Sequence, residues 1–239
     1  MSADSRGGTR SLEIESTFDV EAATPLPDFS GLPGVAAVSG PERRDLDARY
    51  FDVAGFGLGR AGYAVRRRTG GPDEGWHIKG PKGAEGGRVE THWPLDAGAD
   101  AGVEDAGESA VSDSDDLVPG VVLAAIAQFA PDAGPLTPIA RIVNRRDAFA
   151  LRDASGGVVA EFVADHVVAL DETRGVKTSW REWEFELGEA APTTASARAA
   201  LFHEAAAAVA RVGGRPAASD SKLARAAHSP SVRALPRSE

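Results

Sequence analysis

Polar and apolar residues alternate with a period of two near the start of the chain, in residues 12–18 (LEIESTF). This alternation predicts a β-strand. On such a strand Glu13 and Glu15 point to one side, while Ile14 and Ser16 point to the other. Adjacent carboxylates repel each other, so a cation is expected close to them, and Mg²⁺ or Mn²⁺ suits hard oxygen ligands. The alternative is a solvent-exposed edge strand in which both glutamates have no function.

Strand patterns recur in two groups, and each group is followed by a helical pattern. The predicted strands of the two groups cover residues 48–53, 61–69, 75–80 and 87–93, then 139–144, 148–153, 158–170 and 180–187. Helices are predicted from Pro119 onward and over residues 194–211, where apolar residues recur every three or four positions. This succession of strands and helices predicts an α+β fold.

Composition narrows the function classes. The chain has 239 residues, no cysteine and a net charge of −10, which excludes disulfides and thiolate sites. Much of the negative charge falls in residues 94–118, which we interpret as a mobile acidic insert. Residues 1–10 are expected to be a disordered tail and 226–239 a polar tail. No apolar run is long enough to cross a membrane, and no basic surface suggests nucleic acid, so we expect a cytoplasmic protein with neither partner.

The predicted strands carry charged residues at same-face spacing, which is unusual for strands whose other face is apolar. The sets that share a face are Arg66 with Arg68, His77 with Lys79, Arg88 with Glu90 and His92, Glu161 with Asp165, and Glu182 with Glu184 and Glu186. A flat sheet would leave these charges in water at little energetic consequence. A closed barrel would gather them in a polar lumen that holds a metal and a polyphosphate together.

Several motifs in this order resemble the CYTH family, also called triphosphate tunnel metalloenzymes. The motifs are LEIESTF, ARYFDV, AGYAVRRRTG, WHIKGPKG, GRVE, PIARIVNRRDAFAL, VVAEFVAD, WREWEFELG and SDSKLARA. The resemblance covers residues 11–225 and implies an eight-stranded antiparallel β-barrel, a triphosphate tunnel with flanking helices. The chain most resembles the form that actinobacterial proteins fuse to a helical CHAD domain, which is not expected here.

The resemblance also implies roles for individual residues. The metal ligands would be Glu13, Glu15, Glu184 and Glu186, holding Mg²⁺ or Mn²⁺. The phosphate-binding cations would be Arg66, Arg68, Lys79, Arg88, Arg141, Arg146 and Lys222. Glu13, Glu15, Lys79 and Arg68 would be catalytic, and Glu90, Glu161 and Asp165 would orient the cations or contact metal-bound water. Arg141 and Arg146 are an odd number of positions apart, so both face inward only if a bulge intervenes. Arg145 is the alternative to Arg146 as the inward-facing arginine.

One departure from the family pattern bears on function. The lysine of the family's E-x-E-x-K signature is Thr17 in this chain, and the loss of one preorganised cation lowers a rate by roughly 10²–10³. The resemblance implies metal-dependent hydrolysis of triphosphate or short-chain polyphosphate, an activity that Thr17 is expected to weaken. Two alternatives stay open: a module that binds polyphosphate or a nucleoside triphosphate without cleaving it, and a class IV adenylate cyclase.

Overall fold

The computed structural model describes residues 7–83, 86–97 and 117–228. The strands in this part of the chain are β1 (Thr9–Glu13), β2 (Glu15–Val20), β3 (Ala37–Val38), β4 (Glu42–Asp52), β5 (Ala64–Thr69), β6 (Gly75–Lys82), β7 (Arg88–Trp93), β8 (Thr137–Arg152), β9 (Val158–Asp171), β10 (Val176–Leu187) and β11 (Arg215–Pro216). The helices are α1 (Gly57–Arg60), α2 (Gly120–Ala127), α3 (Ala195–Arg211) and α4 (Lys222–His228). No helix in the described ranges is long and apolar enough to cross a membrane.

A single antiparallel sheet curls until its two ends meet. The strand order is β1-β7-β6-β5-β4-β8-β9-β10-β2-β11, and β3 pairs with β8. Only Ile14 separates β1 from β2, so the same segment pairs with β7 through Glu13 and with β10 through Glu15. The described sheet has 11 strands, whereas the resemblance implies eight. The difference comes from the break between β1 and β2 and from the two-residue strands β3 and β11.

The largest differences between the observed and the predicted elements are at the first strand, at β8 and at α4. The first strand begins at Thr9, so the expected tail of residues 1–10 is wrong for its last two residues, and the strand breaks at Ile14. The two strands predicted over 139–144 and 148–153 are one strand, β8. Helix α4 extends past residue 225 into the expected polar tail. The acidic insert lies mostly outside the described residues.

Two apolar layers cover the outer face of the sheet. Helix α3 packs Leu201, Ala205 and Val209 against Phe162 and Trp183. Thr194 begins this helix, because its side chain accepts the backbone N–H of Ala197 at 3.3 Å. Helix α2 packs Val122 and Ile126 against a second cluster that includes Phe51, Val65, Trp76, Ile78 and Trp93. Since successive strand residues alternate between faces, the residues between these apolar ones point inward.

Candidate functional site

Charged side chains from alternate strands meet across the strand that lies between them. Arg66 of β5 reaches Glu90 of β7, with Nη2 3.2 Å from Oε1, although β6 lies between these strands. Arg146 of β8 reaches Glu184 of β10 at 2.6 Å across β9. Such contacts require side chains that share the concave face of a curled sheet. The charged faces therefore line an interior, which excludes the flat solvated sheet.

Most of the residues predicted to form the site share this inner face. They are Glu13, Glu15, Arg66, Arg68, Lys79, Arg88, Glu90, Arg146, Glu161, Asp165, Glu184 and Glu186. Lys222 joins them from the start of α4.

Glu13, Glu15 and Glu186, the acidic triad, surround Lys79. Glu15 lies opposite Glu186 in the β2–β10 pairing, and Lys79 Nζ is 2.6 Å from Glu13 Oε2. Burial and a hydrogen bond with Glu90 raise the pKa of Glu13 to about 8. Burial and the nearby Glu15 raise the pKa of Glu186 to about 7. Three carboxyl groups thus face one ammonium group, an arrangement that a divalent cation with hard oxygen ligands would stabilise.

A second group of carboxylates is already occupied by a side-chain cation. Oxygen atoms of Asp165, Glu182 and Glu184 lie within 4.8 Å of one another. Lys222 Nζ is 3.0 Å from Asp165 Oδ2 and 2.5 Å from both Glu182 Oε1 and Glu184 Oε1. Arg146 adds contacts of 2.8 Å to Asp165 and 2.6 Å to Glu184. We name these five residues the Lys222 cluster.

The charges of the Lys222 cluster stabilise one another. Burial opposes ionisation of Asp165, yet Arg146 and Lys222 hold its pKa below the usual range. Burial likewise opposes the charge of Lys222, but Glu184 and Asp165 raise the pKa of this lysine well above its ordinary value. Glu184, predicted to share a metal with Glu186, therefore has its carboxylate engaged by two cations.

The remaining inner cations are held by fewer partners. Arg66 Nη2 donates to Glu90, which also contacts His77 Nδ1 at 3.0 Å. Burial and the neighbouring Arg66 lower the pKa of Arg68, whose side chain pairs with Asp73. Arg88 donates to the Gly80 carbonyl at 3.3 Å and to Asp220 at 3.2 Å. Guanidinium groups that lie close together attract a polyanion, because phosphate oxygens relieve their mutual repulsion.

A cavity of about 830 Å³ connects these groups to solvent. Its charged part is lined by Glu15, Arg66, Lys79, Arg88, Glu184 and Lys222. Its other part, which we name the mouth, is lined by Phe56, Arg60, Tyr63, Ile139 and Leu223. Cations and carboxylates of the inner face therefore line a single cavity.

The motifs and this geometry agree with a comparison against known families, in which the CYTH domain model matches residues 12–209. The chain belongs to the CYTH domain family. Two Mycobacterium tuberculosis proteins, MT2285 and Rv2226, are each 35% identical to this CYTH chain over 237 residues. The match covers 95% of this chain but 42% of each relative, so the chain spans less than half of their length.

Solved structures share the CYTH fold at low sequence identity. A candidate adenylate cyclase (bh2851) from Bacillus halodurans has a TM-score of 0.53 at 17% identity, covering 90% of this chain and 97% of its own. HpAC1 from Hippeastrum, a candidate adenylyl cyclase reported to have a dominant triphosphatase activity, has a TM-score of 0.51 at 15% identity. That match covers 90% of this chain and 93% of HpAC1. At these identities the likeness establishes the fold.

Thr17, which replaces the signature lysine of the CYTH family, lies beside the Lys222 cluster. It is paired with Glu184 across β2 and β10. Its buried Oγ1 has no hydrogen-bond partner among the described residues. Glu184, the cross-strand partner of Thr17, is instead contacted by the ammonium group of Lys222, whose Nζ is 2.5 Å from Glu184 Oε1.

The prediction that Arg141 faces the CYTH lumen is wrong. Arg141 pairs with Asp47 through two nitrogens, and its side chain is 56% exposed on the outer face. The pairing of β8 with β9 runs without a shift from Ala140 to Leu151, so no bulge changes the parity between Arg141 and Arg146. Arg145 is exposed as well, and Arg146 is the arginine that points inward.

Three inner residues of this CYTH domain received no site role from the sequence. Arg44 forms two hydrogen bonds of 3.0 Å with Glu161. Glu182 belongs to the Lys222 cluster, although it received no role before. His77 is fully buried between Glu90 and the Asp73 carbonyl, 3.0 Å from each. For Glu182 and His77 the available signal was parity with Glu184 and Lys79 on the same strands. Arg44 precedes the strand predicted over 48–53, and its face follows only from its pairing with Arg146.

Proposed function

We propose that this chain hydrolyses triphosphate or short-chain polyphosphate with the help of Mg²⁺ or Mn²⁺. The observation that carries the proposal is that Lys79, set among the acidic triad, lines the same cavity as Arg66 and Arg88. A metal and a polyphosphate need both signs of charge at once, and neither sign alone would hold them together.

The acidic triad fits a hard divalent cation. Glu13, Glu15 and Glu186 supply carboxylate oxygens, which Mg²⁺ and Mn²⁺ prefer. The raised pKa values of Glu13 and Glu186 support this assignment, because burial and neighbouring carboxyl groups disfavour their charged forms and a bound cation would favour them. When bound, the ion would contact phosphate oxygens and neutralise charge that develops during cleavage.

The chain's own cations would bind and align the phosphates. Arg66, Arg68 and Arg88 offer guanidinium groups to nonbridging oxygens, and Lys79 adds an ammonium beside Glu13. Glu90 orients Arg66 by accepting its hydrogen bond. Water is the assigned nucleophile, since phosphoryl transfer depends on positioning and electrostatics and needs no covalent intermediate. We assign Lys222 and Glu184 to holding α4 in place, in view of their mutual contact.

The test is release of orthophosphate from tripolyphosphate with Mg²⁺ or Mn²⁺. We expect turnover by the unchanged chain and a loss of roughly 10²–10³ in the double variant Glu13→Gln/Glu15→Gln. Glu204→Gln, an exposed position on α3, is the matched control and should retain full activity. Unaltered turnover in the double variant would remove the triad from the reaction.

The second candidate is a module that binds a triphosphate without cleaving it. Thr17 favours it, because the family lysine at this position is missing. In that case tripolyphosphate raises the melting temperature, while no orthophosphate is released with either metal. An adenylate cyclase would instead release cyclic AMP and pyrophosphate from ATP, so measuring both orthophosphate and cyclic AMP with ATP as the substrate distinguishes all three functions.

A further inference from the structure

A carboxylate of the chain itself contacts one of the cations proposed to bind phosphate. Asp220 Oδ1 is 3.2 Å from Arg88 Nη2, and Asp220 Oδ2 is 3.0 Å from Lys82 Nζ. Asp220 and Arg88 both line the cavity. A guanidinium group binds carboxylate and phosphate oxygens through the same N–H groups. Asp220 therefore occupies a donor of Arg88 that the proposed function assigns to a phosphate oxygen.

The segment that carries Asp220 is attached to the sheet on both sides of this residue. Before it, the backbone N–H of Ala217 donates to the Thr17 carbonyl at 2.9 Å. After it, Lys222 begins α4, and its ammonium group contacts three carboxylates of the inner face. We name residues 217–222 the strap. Because other contacts fix both ends of the strap, the position of Asp220 is not set by its own ion pairs alone.

Stability of the fold is a weak explanation for the ion pairs of Asp220. The side chain of Asp220 is 40% exposed and that of Lys82 is 50% exposed, and ion pairs in such contact with water contribute little to stability. The same weakness makes the pair with Arg88 easy to exchange. A phosphate oxygen that enters the cavity can replace the Asp220 carboxylate at Arg88 without disturbing the packed core.

Lys82 gives Asp220 a partner that a ligand in the cavity does not contest. Arg88 lines the cavity and its side chain is 22% exposed, whereas Lys82 is not one of the lining residues. When a phosphate oxygen takes the place of the carboxylate at Arg88, Asp220 keeps its contact with Lys82. The exchange therefore leaves no carboxylate without a cation, which a buried charge would require.

We propose that Asp220 is an internal competitor of the ligand, which lowers the affinity of the cavity for polyphosphate by occupying Arg88. This inference rests on the proposed function for the role of Arg88 in binding phosphate. Asp220 acts in two ways in this assignment. Its carboxylate must leave Arg88 before a phosphate oxygen binds there, and its negative charge then stays near the bound anion and repels it.

The experiment measures tripolyphosphate binding by calorimetry at one fixed ionic strength. We expect Asp220→Asn to bind about fivefold more tightly than the unchanged chain, because a partly exposed ion pair is worth up to this factor. Asp132→Asn is the matched control, since it removes the same charge from an exposed turn outside the cavity, and it should leave the affinity unchanged. A damaged fold would weaken binding, so it does not account for a gain.

A double-mutant cycle with Arg88 tests the competition itself. In an Arg88→Ala background, Asp220→Asn should change the affinity by less than about twofold, because the carboxylate no longer withholds a cation from the ligand. A gain of the same size with and without Arg88 would assign the effect to general repulsion of the ligand, and it would overturn the proposed competition.

The outcomes separate this inference from the proposed function. If Asp220→Asn binds tripolyphosphate more tightly but no orthophosphate is released, the competition stands and the hydrolase assignment fails. If the unchanged chain hydrolyses tripolyphosphate and Asp220→Asn binds it no more tightly than Asp132→Asn does, the competition is overturned while the hydrolase stands. Absence of tripolyphosphate binding in every variant overturns both.

Discussion

Lys222 and Glu184 join the last described helix to the interior of the sheet, with Nζ 2.5 Å from Oε1. The ammonium also touches Asp165 and Glu182, so a single side chain neutralises part of three buried carboxylates. Without Lys222, carboxylates this close together would suit a metal ion. Lys222 is therefore expected to affect both the stability of the protein and the number of metal ions that it binds.

Lys222→Met should destabilise the protein and open a second metal site. Removing one partner of a buried ion pair costs about 3–5 kcal/mol, because the remaining charges stay buried. We expect a lower melting temperature in EDTA and one additional Mn²⁺ per chain in an electron paramagnetic resonance titration. Lys82→Met is the matched control, because Lys82 pairs with Asp220 while its side chain is 50% exposed. Equal Mn²⁺ stoichiometry in the two variants would refute the idea of a latent site.

Thr17→Lys should increase phosphate release from tripolyphosphate. The Lys222 cluster contains three carboxylates and two cations, so one more ammonium beside Glu184 is electrostatically tolerated. A preorganised cation contributes roughly 10²–10³ in rate at other phosphoryl and acyl sites, and we expect an increase towards that range. Thr17→Met is the neutral control of similar length. A rate that does not exceed that of the Met variant would show that position 17 does not limit catalysis.

Arg66 and Arg141 offer a direct comparison between an inner and an outer arginine. Arg66→Ala should weaken tripolyphosphate binding about 10- to 100-fold, the usual worth of a hydrogen bond to a charged group. Arg141→Ala should have no effect on binding, since Arg141 pairs with Asp47 outside the lumen. Calorimetry measures both affinities, and circular dichroism checks that Arg66→Ala remains folded. Similar affinities in the two variants would contradict the placement of the phosphates beside Arg66.

The metal-free protein should lose stability as the pH rises from about 5 to 8. The folded-state pKa values of Glu13 (about 8) and Glu186 (about 7) exceed the value of 4.5 for a free glutamate. The folded state therefore binds more protons than the unfolded state in this window, and the free energy of unfolding falls as those protons leave. Each group contributes at most about 1.4 kcal/mol per pH unit, and below about pH 6.5 this is partly offset by His77, because burial lowers its pKa to about 4.

The measurement is the melting temperature in EDTA at pH 6 and pH 8. Glu13→Gln/Glu186→Gln should flatten the pH dependence, because neither amide titrates. Mn²⁺ should raise the melting temperature more at pH 8 than at pH 6, since its ligands must be deprotonated. A steeper decline in the double variant than in the unchanged chain would rule out these two carboxyls as the cause.

Alternation of residues was sufficient to predict most of the inner face. Glu13 with Glu15, and Arg66 with Arg68, follow from a period of two once the sheet is known to curl. The charged run around Arg146 was interpreted as a gap between two strands, because the ion pair of Arg146 with Asp165 on the neighbouring strand β9 cannot be seen in the local pattern. The same limit applies to Arg141, whose orientation depends on the absence of a bulge.

Features that depend on contacts between distant segments could not be predicted from the sequence. The break at Ile14 arises because one segment must pair with β7 and then with β10. Lys222 was predicted to bind phosphate, yet its partners are carboxylates that only the folded sheet gathers. Asp220 received no role, since its contacts with Lys82 and Arg88 join segments that lie far apart in the chain.

The position of Ile14 links closure of the sheet to formation of the proposed metal site. Residues 9–20 pair with β7 at one end of the strand order and with β10 near the other end. Glu13 and Glu15 lie on either side of Ile14, where the two pairings meet. A partly assembled sheet thus lacks the complete set of proposed metal ligands, because Glu186 pairs with Glu15 only once β2 and β10 are joined. Loss of this short stretch would remove both strand pairings and the acidic pair together, so binding at the proposed metal site would report whether the sheet has closed.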